Sequence, residues 1–475
     1  MPSTFLPLQI GRSALDAAML GVETAGHNIA NAGTPGYSRE IADVESANSL
    51  VVFTDHETYL GQGVNVRGQL RVDNPYLDAQ FRGNNAQASY WQVQSTEIQN
   101  IAQIFNEPQG TTLRQAIDGF FNAWNELGQN PNDNGTRATV IAAAQNLVAA
   151  FHAAANQLIN NQNRYENEIR DSLAEIQSIV QNIASLNVQI EKAQAQGDAP
   201  NDLLDQRDAL LDKLSGYVSF TVTYTPDTSD PNVVHMSLTL NGSGNLTFNG
   251  SSYPLTILND GVVNPPFDGS TVPDWKTASW SDIQTSIQAL QAQNGSLVSL
   301  YDMYNYTGRQ LTALDNLATN DPGGNSIAQL VNNLQMNGYD QSGALSGTPL
   351  FVGSGAAGIQ VNINQGSKLA AASQAGASTD GSNAEAIAGL VSNVDSMYTG
   401  IITAIGDDGQ TANQQNQTFS ALNTQISNLR QSLSGVNINE EFTHLIQYQQ
   451  TYNAAAQFIS AFNQMLQTLI DEVHG

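Results

Sequence analysis

The chain contains no cysteine. Disulfides, thiolate metal sites and cysteine nucleophiles are therefore excluded, and the absence is compatible with either an oxidising or a reducing compartment. Charged residues are also scarce, at 12% of the sequence, against ~25% in typical soluble proteins. Asn, Gln, Ser, Thr, Ala and Gly take their place, which predicts a polar, weakly charged surface suited to close packing against neighbouring molecules.

Basic residues are the scarcer charge. Lys and Arg total 16 against 43 Asp and Glu, which gives a formal net charge of -27. A protein that binds phosphate backbones needs clustered Lys and Arg, and an anionic membrane surface would repel this chain. The composition therefore predicts no nucleic-acid partner and no membrane partner, and solubility alone is enough to explain the acidity.

Long hydrophobic runs are missing as well. No window reaches the ~20 apolar residues of a membrane-spanning helix. The opening MPSTFLPLQIGRSAL lacks the basic region and apolar core of a secretory signal. These features predict either a cytosolic protein or one exported by a route that uses no cleaved signal.

Motifs that could carry chemistry are weak. The segment Gly353–Gly358 matches GxGxxG, but a strand-like IQVNIN follows it where a phosphate site needs a helix, so we predict a hairpin turn. The loop NPNDNGTRATVI (130–141) ends in Ile141 where a calcium loop needs a bidentate Glu. Glu440 and Glu441 are adjacent on a predicted helix and so do not face each other. No two histidines have the HxxxH spacing of a helical zinc site. The sequence predicts no enzyme, cofactor or metal site.

Periodicity predicts a mainly α fold with several domains and a small inserted β domain. Residues 1–32 read as a helix, 41–72 as extended, 76–215 as mostly helical with breaks at 107–110 and 130–131, and 216–275 as β-rich. Helical patterning returns at 281–337, an extended segment follows at 349–364, and a small-residue loop occupies 367–386. A final helical stretch begins at 387, with a turn predicted at 406–409. Asn201 or Asp202 is the predicted cap of the helix at 201–215.

Both chain ends carry apolar residues at alternating three- and four-residue steps, the spacing of a coiled-coil seam. The N-terminal seam is Leu15, Ala18, Val22, Ala25 and Ile29. The C-terminal seam is Leu445, Tyr448, Tyr452, Ala455, Ile459, Phe462, Leu466 and Leu469, and it continues to Val473. A small seam opposite a bulky one predicts that the two ends pair as an assembly element. The alternative is that both stripes are ordinary buried faces of globular helices.

The segment NIANAGTPGYSRE (28–40) resembles the N-terminal signature of the flagellar axial proteins, the family of rod, hook and hook-associated subunits. The residues that carry the resemblance are Asn28, Asn31, Thr34, Pro35, Gly36 and Tyr37. The segment SGVNINEE followed by LIQYQQTYNAAAQFI resembles the C-terminal signature. The middle segments at 201–215, 295–318 and 337–351 resemble the hook-associated members that form the junction between hook and filament.

The resemblance implies a structural protein that self-assembles as a ring or short tube at the distal end of the hook. Its partners would be the hook protein below, a second junction protein (hook-associated protein 3) above, and a cytosolic export chaperone on the C-terminal helix. The terminal helices, disordered before assembly, would form an inner coiled-coil layer, and the chain would leave the cell by flagellar type III export. The expected domains are 1–40 with 430–475 for assembly, 41–215 with 281–429 as a mostly helical body, and 216–280 as an outward-facing β-rich insertion.

Two alternatives remain from sequence. One is another axial subunit, such as a distal rod or hook protein, against which the helix at 201–215 and the long helical body argue. The other is a secreted adhesin or peptidoglycan hydrolase with the same termini. That class would need a catalytic cluster or a recognisable binding face within 216–280, and the sequence shows neither.

Overall fold

The computed structural model describes residues 5–53, 57–105, 112–248, 251–269 and 275–474. Eleven α-helices are found in these ranges: α1 (Leu6–Asn31), α2 (Pro75–Phe105), α3 (Leu113–Gln129), α4 (Asn134–Ala195), α5 (Asn201–Tyr217), α6 (Trp280–Gln288), α7 (Ser296–Asp315), α8 (Ile327–Asn337), α9 (Ser382–Gly389), α10 (Val391–Ser434) and α11 (Ile438–His474). Short 3₁₀ turns lie at Trp275–Thr277 and Gly366–Lys368, and a π-helical turn, Asn316–Asn320, extends α7.

The strands within these ranges are short: β1 (Glu40–Ser46), β2 (Leu50–Phe53), β3 (Glu57–Leu60), β4 (Val64–Arg71), β5 (Phe220–Pro226), β6 (Val234–Leu240), β7 (Leu246–Phe248), β8 (Ser251–Tyr253), β9 (Thr256–Asn259), β10 (Val262–Val263), β11 (Phe351–Val352) and β12 (Gln360–Val361). The predicted mainly helical, multi-domain fold is confirmed. The predicted break at 107–110 lies outside the described residues.

Contacts divide the chain into two compact units. Unit 1 comprises 1–86, 175–273 and 420–475, and unit 2 comprises 87–174 and 274–419. The boundaries therefore fall inside α2, α4 and α10. The three-part division expected from sequence has different bounds and stays a prediction.

Unit 1 combines long helices with antiparallel sheets. The largest sheet has the order β10-β9-β6-β5, and β1 pairs with β4 next to α1. On β6 the side chains of Met236, Leu238 and Leu240 are buried and alternate with more exposed residues, so one face of the sheet is apolar and the other is polar. The predicted β-rich insertion is thus a small half-buried sheet.

Unit 2 has an aromatic core. Phe120 and Trp124 on α3 are fully buried, and the Phe120 ring packs on Phe351 of β11 with centroids 5.5 Å apart. By length and composition alone, α4 is the one helix among the described residues that could cross a membrane. Its side chains at Phe151 and Leu158 are fully buried, as expected of a core helix in a globular unit.

The Gly-rich segment at 353–358 joins β11 to β12, which pair as an antiparallel hairpin. The predicted hairpin turn is therefore confirmed. Gly353 has a φ of +91°, and a Cβ at this position would overlap the carbonyl of Gly358. Only glycine fits this backbone without strain.

Three local predictions are wrong. The turn expected at 406–409 lies inside α10, because burial of Ile405 and Ala412 on one helix face outweighs the poor helix propensity of two glycines. The N-cap of α5 is Pro200, since Asn201 instead donates its side-chain amide to the Gln69 carbonyl at 3.2 Å. Helix α9 begins at Ser382, within the segment predicted as a loop.

Candidate assembly site

The two terminal helices, α1 and α11, pack against each other within unit 1. Gly11 lies opposite Ile459, Gly21 lies opposite Tyr448, and Asn28 bonds to Glu441. Because residue numbers rise on one helix as they fall on the other, the pair is antiparallel. This arrangement joins the first and last helices of the chain.

Small residues on α1 make the close approach possible. A Cβ at Gly11 would lie 2.7 Å from Cγ1 of Ile459, and a Cβ at Gly21 would overlap the Tyr448 ring. Neither glycine has a positive φ, so space rather than backbone conformation requires it. Glycines were absent from the predicted apolar stripe because they have no side chain to count, although the buried face of α1 depends on them.

The predicted seam residues occupy this interface to different degrees. Ala18, Ala25 and Ala455 are buried. The half-buried members are Leu15, Val22, Ile29, Leu445, Tyr448, Ile459, Phe462 and Leu466. Tyr452 and Leu469 remain 42% and 54% exposed, and the side chain of Val473 lies outside the described residues. The assignment of this seam to assembly stays a prediction.

Large apolar side chains also remain exposed on α11. Phe458 and Met465, seven residues apart, and the seam residue Leu469 lie along one side of α11, and they are 47%, 57% and 54% exposed. Phe442 and Ile446 are exposed in the first turns of the same helix. A helix that is already paired on one side therefore presents further apolar surface beyond that pairing.

Asn28 connects four chain segments through one buried amide. Its Nδ2 donates to the carbonyl of Glu40 at 2.8 Å and to Oε2 of Glu441 at 3.1 Å. Its Oδ1 accepts from the Tyr37 hydroxyl and from the backbone N–H of Glu40, both at 2.9 Å. Two donors and two lone pairs are all used, which is the full capacity of an Asn side chain.

The turn of the N-terminal signature surrounds this amide. The Tyr37 hydroxyl lies 3.1 Å from Nδ1 of His27, which in turn lies 3.2 Å from the buried carboxylate of Glu40. Burial, followed by the negative charge of Glu40, raises the pKa of Tyr37 above its ordinary range. The phenol therefore stays protonated, as donation to Asn28 requires.

The remaining signature residues shape the backbone. Asn31 donates to the His27 carbonyl at 3.2 Å and accepts from the Thr34 hydroxyl at 3.3 Å, which closes the end of α1. Pro35 precedes Gly36, which has a φ of +83° and whose added Cβ would lie 3.3 Å from Cβ of Ala209 on α5. The turn thus brings the chain from α1 close to α5.

A network of buried ion pairs holds α5 in place within unit 1. Asp208 accepts from Arg71 at 2.7 Å and from Arg82 at 3.0 Å, while Arg82 also contacts Asp212 at 2.8 Å. Arg430, near the end of α10, reaches Asp212 at 2.8 Å. The helix at 201–215, which carries part of the family resemblance, is therefore the acidic side of a network that reaches β4, α2 and α10.

The pKa of Asp208 reflects its partners. Burial alone would raise the pKa of this carboxyl, but Arg71 and Arg82 together hold it below its ordinary value of 3.8. Burial would lower the pKa of Arg71, but the carboxylates of Asp208, Asp73 and Asp205 raise it above its ordinary value. The network is therefore charged at neutral pH.

Sequence reasoning missed the link between Asn28 and Glu441. The available signal was a polar residue three positions after Ala25, on a second three- and four-residue stripe of Ala18, Gly21, Ala25 and Asn28 that is buried in the structure. A polar residue at a position where helices pair sets the register. Sequence spacing also did not reveal two groups of side chains of the types that can bind a metal ion, because the members of each group come from different elements. These groups are His27 with Glu40 and Asp202, and Glu191 with His235 and Asp260.

Known proteins match both the fold and these ends. The family model described as the flagellar hook-associated protein FlgK helical domain matches residues 98–351, more than half of the chain. The chain belongs to the flagellar hook-associated protein FlgK family. A second model, described as the flagellar basal body rod FlgEFG protein C-terminal, matches residues 430–472, which cover the end of α10 and most of α11.

Members of the FlgK family resemble this chain along its length. The flagellar hook-associated protein 1 of Bacillus subtilis (strain 168) is 29% identical over 518 residues, covering 99% of both chains. That of Salmonella typhimurium is 23% identical, covering 97% of this chain and 98% of the relative. The structure of the flagellar hook junction protein FlgK from Burkholderia pseudomallei is 14% identical, with a TM-score of 0.56 over 75% of this chain and all of that one; it shows the fold.

The FlgK family comprises structural proteins of the hook–filament junction and not enzymes, which confirms the predicted class. The chain is accordingly a structural, hook-associated subunit of the bacterial flagellum, an extracellular appendage, where it assembles with other flagellar proteins. The alternative of an adhesin or hydrolase is set aside by the match along the whole chain.

Proposed function

We propose that this chain builds the hook–filament junction through the α1–α11 pair, as a homo-oligomer in a ring or short tube at the distal end of the hook. The seam between α1 and α11 closes within one subunit. The exposed sides of Phe458 and Met465, and of the seam residue Leu469, form an apolar flank that contacts the neighbouring subunit. The observation that carries the proposal is this exposed apolar flank on a helix that already has an intramolecular partner.

The flank supplies part of the free energy of association between subunits. Full burial of a large apolar side chain stabilises by about 1.5–3 kcal/mol. Because Phe458, Met465 and Leu469 are about half exposed, completing their burial contributes roughly 1 kcal/mol each. Roughly 3 kcal/mol for each subunit contact is less than the ~4–15 kcal/mol that association costs in lost freedom, so other contacts in the ring supply the remainder.

The partners follow from the position of the subunit. The hook protein lies below, and hook-associated protein 3 lies above, so that the chain adapts the hook to the filament. A cytosolic export chaperone covers the exposed apolar residues of α11 before assembly. The chain leaves the cell by flagellar type III export without a cleaved signal peptide. Ordering of the terminal helices is coupled to assembly, because each helix leaves apolar surface uncovered on its own.

The first experiment removes the chain from a flagellated strain. Electron microscopy should show hooks without filaments, and the medium should contain shed flagellin. Missing hooks would instead assign the chain to the rod or the hook, and normal flagella would contradict the junction role.

The second experiment complements that strain with α11 variants. Met465→Glu places a charge on the proposed contact between subunits, whereas Gln467→Glu adds the same charge at an exposed polar position two residues away. We expect the Met465 variant to be secreted but not incorporated, and the Gln467 variant to restore filaments. Ile459→Glu disrupts the seam within the subunit and should also block incorporation, as should charges at Leu445 or Leu466. Normal filaments with Met465→Glu would refute the proposed contact.

A further inference from the structure

An imidazole and two carboxylates from distant parts of the chain converge at one edge of unit 1. Glu191 lies in the last turns of α4, His235 on the polar face of β6, and Asp260 in the turn between β9 and β10. One ligand atom from each residue lies within 4.8 Å of the other two. Glu191 and His235 are 44 residues apart in the sequence, and Asp260 lies on a third element. No spacing motif could therefore reveal the group.

The three ligand atoms lie close enough together to reach a single small cation. Nδ1 of His235 lies 3.4 Å from Oε1 of Glu191 and directly contacts Oδ1 of Asp260. In a tetrahedral site with metal–ligand bonds of ~2.1 Å, ligand atoms lie ~3.4 Å apart. The Glu191–His235 pair already lies at this separation, whereas the closer His235–Asp260 contact has to open by a rotation of the exposed Asp260 side chain when an ion enters.

The other side of the imidazole is held by a fourth residue. Nε2 of His235 lies 3.0 Å from Oδ2 of Asp227. The Asp227 carboxylate is itself fixed by the backbone N–H groups of Ser229 and Asp230. A carboxylate that accepts a hydrogen bond from one ring N–H leaves the lone pair of the other nitrogen available to a metal, which is the usual support of a metal-bound histidine.

We propose that Glu191, His235 and Asp260 bind a first-row divalent cation, with Asp227 as the positioning residue. A neutral imidazole and two carboxylates carry a charge of about -2, which a divalent ion neutralises. The ligand set of one nitrogen and two oxygens favours Zn²⁺, Co²⁺ or Mn²⁺ over Ca²⁺, which prefers six or more oxygens. His235 is 24% exposed, so a water molecule can reach the remaining coordination position.

The bound ion would tie the β9–β10 turn and β6 to the end of α4. Nothing in the hook-associated role requires this link, so the site adds a property to the chain rather than restating that role. Without an ion, the same groups form an ordinary charged surface cluster, in which a protonated His235 pairs with three carboxylates. Titration with metal distinguishes these two states.

The test is calorimetric titration of the full-length chain, freed of metal with a chelator, with ZnCl₂ and separately with MnCl₂ and CaCl₂. We expect one high-affinity zinc equivalent that His235→Gln and Asp260→Asn each weaken at least tenfold. Asp227→Asn should weaken binding by about 10- to 100-fold, the usual effect of losing a residue that orients a ligand. Calcium should not compete.

Two controls separate this site from other histidines. His27→Gln removes the imidazole of the second group, and His444→Gln removes a half-exposed imidazole on α11; both should keep the zinc equivalent. If His235→Gln does not fold, Glu191→Gln on α4 removes a different ligand of the same site and should also weaken zinc binding. Zinc binding that survives Glu191→Gln and His235→Gln, or no zinc binding below about 1 mM (a binding free energy weaker than ~4 kcal/mol), would overturn the proposal. The readout is metal binding, so it is independent of assembly.

Discussion

Neutralising Asp208 tests whether the ion-pair network holds α5 in unit 1. Asp208→Asn keeps the shape of the side chain but removes the charge that faces Arg71 and Arg82 at 2.7 and 3.0 Å. It also places an amide N–H donor beside two guanidinium groups, which are themselves donors and cannot accept a hydrogen bond. We therefore expect α5 and its partners to loosen while unit 2 is unaffected.

The expected magnitude follows from the partners that remain. Removing one member of a buried ion pair costs about 3–5 kcal/mol when the other charge is left alone. Here Arg71 keeps Asp205 at 2.9 Å and Arg82 keeps Asp212 at 2.8 Å. We therefore expect the local free energy of unfolding to fall by about 2–3 kcal/mol. Asp73→Asn is the matched control, because Asp73 contacts the same Arg71 at 2.9 Å but is 37% exposed. Its loss should stay below about 1 kcal/mol.

Amide hydrogen exchange in α5 is the appropriate measurement, since the chain has two units and global unfolding does not report on one of them alone. The pH dependence gives a second check. Asp208 has a folded pKa below 3.8, so its stabilisation is fully present above pH 3.8 and is lost as the pH falls through the folded pKa. The difference between wild type and Asp208→Asn should therefore shrink below pH 3.8. Equal losses for the Asp208 and Asp73 variants, or a difference that persists at low pH, would refute the network.

Three further predictions concern single side chains. Asn28→Ala should lower local stability by about 2–4 kcal/mol through four lost hydrogen bonds, and Asn31→Ala by about 1 kcal/mol or less, as read from exchange of the Glu40 amide. Gly21→Val should separate the helix pair and block incorporation in a complementation assay, whereas Gly26→Val, with open space around it, should restore filaments. Arg137→Met should destabilise unit 2 by about 2–4 kcal/mol in urea unfolding, because a fully buried guanidinium that donates to three backbone carbonyls is lost; a change below about 0.5 kcal/mol would contradict that reasoning.

Helix positions could be predicted from sequence because apolar periodicity depends on local spacing. The helix end at Asn31 and the hairpin at 353–358 follow from Pro and Gly chemistry that acts within a few residues. The break between Ser434 and Ile438 was not predicted and lies inside the final helical stretch expected from sequence. The continuity of α10 through Gly406 could not be predicted in the same way. It depends on burial of Ile405 and Ala412, which sequence spacing does not reveal.

The residues of the candidate assembly site also differ in whether local sequence spacing could predict them. The buried seam residues Ala18, Ala25 and Ala455 could be singled out from sequence because they belong to a repeat with fixed steps, and their role in assembly stays a prediction. Asn28 was singled out only through the resemblance, and its bond to Glu441 joins residues 413 positions apart. No periodic pattern carries information about a single hydrogen bond between two polar side chains at opposite ends of a chain.

The antiparallel pairing of α1 with α11 also orders events in time. A chain is made, and threaded through any secretion channel, with its first residues leading. The partner of α1 is α11, and 413 residues separate Asn28 from Glu441 across the pair. Helix α1 can pack on β1 and β4 earlier, but its seam with α11 cannot close until nearly all of the segment between them has appeared. A chain that lacks α11 cannot form the seam. The pair therefore acts as a check that α11 is present before the element that we propose for assembly can form.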